Sequence, residues 1–88
     1  MATLLRRSDL KCWELDGEAV VYDPVSGSGH VLNQTALAIW QLCDGKHTVG
    51  DIERFVVAAY PDKHETIHGD VPRTVRELVE LGLAQEAA

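Results

Sequence analysis

The sequence has no apolar run near the roughly 18 residues that a membrane helix needs. Its opening stretch, MATLLRRSDLKCW, carries two arginines but no apolar segment of signal-peptide length behind them. A membrane-spanning or exported protein is therefore not expected, and the compartment implied is the cytoplasm. Basic side chains are also scarce. Against 14 Asp and Glu stand 8 Lys and Arg, a formal charge of −6, which disfavours a generic nucleic-acid or anionic-membrane surface. Cysteine is limited to Cys12 and Cys43, with no CxxC spacing. In a reducing compartment two such residues are most simply buried thiols, with a single disulfide between them the alternative. No internal repeat or low-complexity tract interrupts the chain, and its 88 residues leave no room for a second domain. A chain of this size buries roughly 60 to 65 per cent of its unfolded surface, enough for a modest core without staples.

What is present reads as strands first and helices after. Residues 1 to 9 have no period and are expected to form a flexible lead-in, with residues 85 to 88 a tail and residues 10 to 84 a single domain. Leu10 to Leu15 alternates as a strand, Asp16-Gly17 tolerates the positive φ of a two-residue hairpin turn, and Glu18 to Tyr22 returns. Pairing Leu15 with Glu18 sets Trp13 opposite Val20 and Lys11 opposite Tyr22, with Cys12 and Val21 on the other face. The face of Trp13, Leu15, Val20 and Tyr22 is the bulkier and is assigned to the core. DPVSGSG, Asp23 to Gly29, is turn-forming throughout. It lacks the spacing of a phosphate-binding loop and does not open a helix. A short third strand, His30 to Leu32, follows at an edge.

Asn33 is a good N-cap, and Gln34 to Cys43 places Ala36, Ile39, Trp40 and Cys43 on one buried stripe, closed by Asp44-Gly45. Thr48, with Asp51 three residues on, forms an imperfect capping box for a second helix whose inner stripe is Val49, Ile52, Val56 and Ala59 or Tyr60, ended by Pro61. In a third helix Val71, Val75, Leu78, Val79 and Gly82 share an arc opposite Arg73, Arg76, Glu77 and Glu80, and Gly82 supplies the stop. The fold class is α+β, a winged-helix-like arrangement of a three-stranded antiparallel sheet followed by three α-helices.

Three chemical readings compete. His64-Glu65-Thr66-Ile67-His68 satisfies HExxH, in which two histidines one helical turn apart bind zinc and the glutamate activates water. That motif works inside a stable helix beneath a cleft, whereas Pro61, Gly69 and Pro72 bracket it here, and only Glu77, Glu80 or Glu86 offers a third ligand. A small zinc hydrolase is the weaker alternative, and solvated histidines at a helix start are the expectation, with no metal site and no catalytic residue. The winged-helix topology suggests a nucleic-acid-binding regulator. Yet Arg73 and Arg76 are offset by Glu77 and Glu80, and Arg54 by Asp51 and Glu53, so phosphates would be poorly held. Cys43 lies at a helix C-terminus, where a thiolate is disfavoured, and reads as structural. His30 and His47 read as surface or loop residues. The third option is the open edge itself, whose unpaired N–H and C=O groups can accept an extended peptide as a further strand.

Leu32-Asn33-x-Thr35-Ala36, then Ile39-Trp40-x-Leu42-Cys43-Asp44-Gly45, then Thr48-Val49-x-Asp51-Ile52 resembles the PqqD family of peptide chaperones, also called RiPP recognition elements, and the likeness extends from about Lys11 to Ala84. It implies that the leader of a ribosomally made precursor peptide docks antiparallel to the third strand, in a groove walled by the third helix. By that resemblance His30, Val31 and Leu32 supply backbone contacts, and Pro72, Val75, Arg76 and Val79 form the wall. Arg73 and Arg76 would pair with acidic leader residues. It further implies a protein that is not an enzyme and uses no cofactor, presenting the peptide to a radical SAM enzyme, a cyclodehydratase or a processing protease. The resemblance would start helix three near Asp62 or Lys63, with Asp62 as cap and Glu65 completing the box. Gly69 and Pro72 depart from the family, so a kink or a break is expected there. No membrane or nucleic-acid partner is expected, and the assembly is a monomer or weak homodimer, with the edge strand or helix three as the self-pairing surface.

Overall fold

The computed structural model describes residues 2–87, the side chains of Lys63 and His64 excepted. Among these residues the order is β1 (Thr3–Arg6), β2 (Lys11–Leu15), β3 (Glu18–Asp23), β4 (Ser28–Leu32), α1 (Gln34–Gln41), α2 (Val49–Ala59), a 3₁₀ turn (Pro61–Lys63), α3 (His64–Glu80) and β5 (Ala84–Ala87). Strands β2, β3 and β4 form an antiparallel sheet with β3 in the middle. Asp16 (φ 53°) and Gly17 (φ 80°) make the hairpin turn, because both central residues of that turn need positive φ. The register is the expected one, with Leu15 opposite Glu18, Trp13 opposite Val20 and Lys11 opposite Tyr22.

The assignment of sheet faces is overturned. Ala19, Val21 and Leu32 are buried under the helices, whereas Trp13, Leu15, Val20 and Tyr22 lie on the outer face. Ala19 and Val21 point inward where α1 packs directly against the sheet, and close approach of a helix leaves little room there for a side chain as large as Tyr or Trp. The core consists of that inner face together with Leu4, Leu37, Ile39, Trp40, Cys43, Ile52, Val56, Ile67, Val71, Val75, Leu78, Leu83 and Ala84.

The two chain ends are also structured, in place of the expected lead-in and tail. Strands β1 and β5 pair antiparallel, Thr3 with Ala87 through Arg6 with Ala84. The Leu4 amide donates to the His47 carbonyl (3.0 Å), its carbonyl accepts from the Gly45 amide (2.7 Å), and the Arg6 amide donates to the Cys43 carbonyl (2.7 Å). Leu4 is buried. A four-residue strand whose partner lies some eighty residues away has no local period to announce it.

Helix caps follow the sequence closely. Asn33 Oδ1 accepts from the Ala36 amide at 2.8 Å, and Thr48 and Asp51 form a complete capping box. Helix α3 ends in a Schellman motif, with Leu83 N donating to Leu78 O (2.9 Å), Gly82 N donating to Val79 O (3.0 Å), and Gly82 at φ 76°. Helix α3 is continuous through Gly69 and Pro72, so no break occurs. Its apolar stripe, Ile67, Val71, Val75 and Leu78, runs unbroken on both sides of Gly69 and Pro72, and that burial holds the helix together across the hydrogen bond Pro72 cannot make.

One ion pair locks the N-terminal segment to the sheet. Arg7 reaches buried Asp23 at the end of β3 through two bonds, 2.7 and 3.1 Å, and also contacts Asp9 and the Gly82 carbonyl. Asp23 Oδ1 in turn accepts from the Val25 amide (2.9 Å), which folds the loop that delivers β4. The Arg7 guanidinium, with smaller help from the Val25 and Ser26 amides, pulls the Asp23 carboxyl down to about 2. An unfolded aspartate titrates near about 3.9. The carboxylate's contribution is therefore complete above that value and lost as pH falls toward the folded one. Thermal melts between about pH 5 and about pH 2 should show wild type losing stability steeply over this window, whereas Asp23→Asn starts lower and loses less.

Candidate functional site

Strand β4 pairs with β3 on one side only. Among the described residues no strand adds to its other edge, and the C-terminal strand pairs with β1 instead of capping it. Across that free edge lies α3, and between them runs an open groove of about 910 Å³. Its strand side is Gly29, His30, Val31 and Leu32, continuing into Asn33, Thr35 and Ala36 at the start of α1. Its helix side is Thr66, Ile67, Asp70, Arg73, Thr74, Glu77, Leu78 and Leu81.

The geometry follows from local causes. Asn33 caps α1 and so ends β4 while turning the chain beneath it. Leu32, Ile67 and Leu78 are buried and form the apolar floor. Leu81 stands at the end of α3, 47 % exposed, held there by the Schellman turn. The groove's charges are Asp70 and Arg73, paired with each other, and Glu77. An extended chain laid along β4 would meet unpaired backbone groups on one side and an apolar floor with a polar rim on the other. That is the arrangement that strand addition uses.

The structure brings together only part of the expected site. His30, Val31 and Leu32 line the groove. Pro72, Val75, Arg76 and Val79 do not: Val75 is buried in the core, and Pro72, Arg76 and Val79 are exposed off the groove. At 3.6 residues per turn, the apolar stripe of α3 has two flanks, each about a quarter-turn away. Asp70, Thr74, Glu77 and Leu81 form one; Pro72, Arg76 and Val79 lie on the other. The packing of α3 on α1 and α2 turns the first flank to β4. The one sequence signal pointing that way was Leu81, an apolar residue outside the core stripe at the helix end.

His68 pairs with Glu53 of α2 and so ties α2 to α3; the His64 side chain of the HExxH string lies outside the described residues. Among the described residues no cluster of three potential metal ligands occurs. Both cysteines are free, Cys12 exposed and Cys43 buried. Burial pushes the Cys43 thiol up to about 11, and its Sγ donates to the Ile39 carbonyl at 3.3 Å. This is the behaviour of a core thiol. No helix among the described residues is long and apolar enough to cross a membrane.

The family model described as Coenzyme PQQ synthesis protein D (PqqD) matches residues 18–84, three quarters of the chain. The chain belongs to the PqqD family. The matched span runs from the first residue of β3 to the first of β5 and contains the whole groove. No match was found among curated proteins. Among solved structures, this PqqD-family chain is similar to "TbiB1 in Complex with the TbiA(beta) Leader Peptide", with a TM-score of 0.77 and 20 % identity over 96 % of this chain and 98 % of that one. At that identity the likeness is one of fold.

Proposed function

We propose that this PqqD-family protein binds the leader segment of a ribosomally made precursor peptide as an added strand on β4 and presents it to a separate modifying enzyme. The observation that carries this reading is the unpaired β4 edge facing α3 across an apolar-floored groove. The similarity to TbiB1, whose structure was solved with a leader peptide, supports it. On this reading the chain does no chemistry itself; the partner is a radical SAM enzyme, a cyclodehydratase or a processing protease. Work in the cytoplasm suits two free thiols. The wall of the site is Asp70, Thr74, Glu77 and Leu81, with His30, Val31 and Leu32 opposite. Duplex DNA finds less here, since Arg54 and Arg73 are each already paired with an aspartate.

An NMR titration of labelled protein with the leader of a candidate precursor tests the proposal. Shifts should concentrate at His30, Val31 and Leu32 and at Asp70, Thr74 and Leu81. Perturbation centred on Arg54 with duplex DNA, and none with the peptide, would reject it. Affinity should also change little with salt, because backbone bonds and apolar contacts dominate, whereas log affinity of a phosphate binder falls steeply with log salt.

A further inference from the structure

The outer face of the β2–β3–β4 sheet is apolar and uncovered. Trp13 is 57 % exposed, Leu15 76 % and Val31 66 %, with Val20 and Tyr22 between them. Trp13, Val20 and Val31 stand side by side in one row across the three strands, around a shallow depression of about 300 Å³. The fold is only 17 Å thick, a sheet with helices on one side. The sequence of β3 nevertheless reads Ala19-Val20-Val21-Tyr22 without alternation, the pattern of a strand buried on both faces. A charge-free centre anchored by Trp and Tyr, with charges only at the margin, is how the core of a protein interface is built.

We propose that this face is a self-association surface on which a second copy of the chain packs sheet against sheet. The arrangement of charge supports a twin as the occupant. Lys11 sits at one end of the face beside Tyr22, and Glu18 at the other end beside Leu15. A two-fold axis between the sheets and perpendicular to the strands lays Trp13 over Trp13 and Val20 over Val20. It also brings each Lys11 near the second copy's Glu18 and each Tyr22 hydroxyl over that glutamate, so the face is complementary to itself. Face-to-face packing at the usual sheet spacing leaves α3 outward, and the groove stays accessible.

The dimer is weak. At about 4.8 Å between strands and about 3.3 Å per residue the face spans roughly 15 by 17 Å, well under the roughly 800 Å² per partner of a stable interface. The formal charge of −6 per copy opposes association further, screened at physiological salt beyond about 8 Å.

Sedimentation of the intact protein from about 5 µM to about 1 mM should show a reversible dimer with Kd of roughly 10 to 500 µM. Val20→Lys should weaken it at least tenfold, and the milder Val20→Thr measurably. Both side chains sit on an exposed face, so thermal melts should stay near wild type. Lys11→Glu should weaken the dimer, and Lys11→Glu with Glu18→Lys should restore it, a rescue expected only if the two positions meet across the interface. A protein monomeric through the whole range, a dimer indifferent to Val20→Lys, or a double variant without rescue would each overturn the proposal.

Discussion

Replacing Trp40 by alanine is expected to lower stability by about 3–5 kcal/mol, against a total of about 4–13 kcal/mol for a domain of this length. The midpoint of thermal unfolding should fall by about 15 °C at the least change and by about 27 °C at the greatest. The size of the effect comes from position. Trp40 is buried where α1, the N-terminal segment and the turn after α3 converge. Its indole Nε1 donates to the Leu83 carbonyl at 3.1 Å, and the Arg6 guanidinium lies over its ring at 5.5 Å while donating to the carbonyls of Trp40 and Gln41. Removing the ring opens a cavity, leaves a buried carbonyl without its donor and frees the arginine that helps hold β1. Trp40→Phe separates the contributions. It keeps most of the volume but not the donor, and should cost about 1–2 kcal/mol. If calorimetry finds the two variants equally stable, packing at this junction is not what holds α1 to α3.

The junction bears on the groove as well as on stability, because Leu83 follows directly on the Schellman turn that sets Leu81 in place. Loosening Trp40 should therefore widen the gap between β4 and α3 before the domain unfolds. Hydrogen exchange at the amides of Leu81 to Ala84 should rise first in Trp40→Phe.

Much of this design was legible before any coordinates. The Asp16-Gly17 turn, the register of the hairpin, the Asn33 and Thr48 caps and the Gly82 stop are all local signals, decided by residues a few positions apart. What was illegible depends on partners distant in sequence. Bulk decides which face of a sheet is buried only when the covering layer stands at ordinary distance. Here α1 comes close to β3, so Ala19 and Val21 go inside and Trp13 and Leu15 outside, against the ranking by size. Thr3–Arg6 and Ala84–Ala87 make a sheet only because the fold brings the two ends together. Gly69 and Pro72 left a kink or a break open on backbone grounds alone, and the buried stripe from Ile67 to Leu78 keeps the helix unbroken. The groove shows the same division. Its strand wall, His30 to Leu32, was readable from the edge position. Its helix wall, carried over from the family resemblance as Pro72, Val75, Arg76 and Val79, does not coincide with the residues of α3 that face β4, since period marks the core stripe and cannot say which side of it meets the strand.

That choice of flank makes the sharpest test of the site. Leu81→Glu should reduce leader-peptide affinity by about 30-fold, equivalent to about 2 kcal/mol, while Val79→Glu should change it by less than about twofold. The two substitutions install the same carboxylate in place of an aliphatic side chain, two residues apart, at positions 47 % and 38 % exposed. Neither should cost much stability, so a difference in binding reports location. At position 81 the new carboxylate enters the groove beside the apolar floor and adds to the negative charge of Glu77, where an apolar leader side chain would have to desolvate it. At position 79 it stays in water on the far flank. A companion scan can probe the strand wall without touching the protein. N-methylation of successive leader residues should abolish binding at alternate positions only, because every second amide of an added strand points at β4 and the others point away. Should isothermal titration show Val79→Glu as damaging as Leu81→Glu, the wall would lie on the Pro72, Arg76 and Val79 flank after all. Loss of affinity at every methylated position, or at none, would mean that the leader does not lie on β4 as a strand.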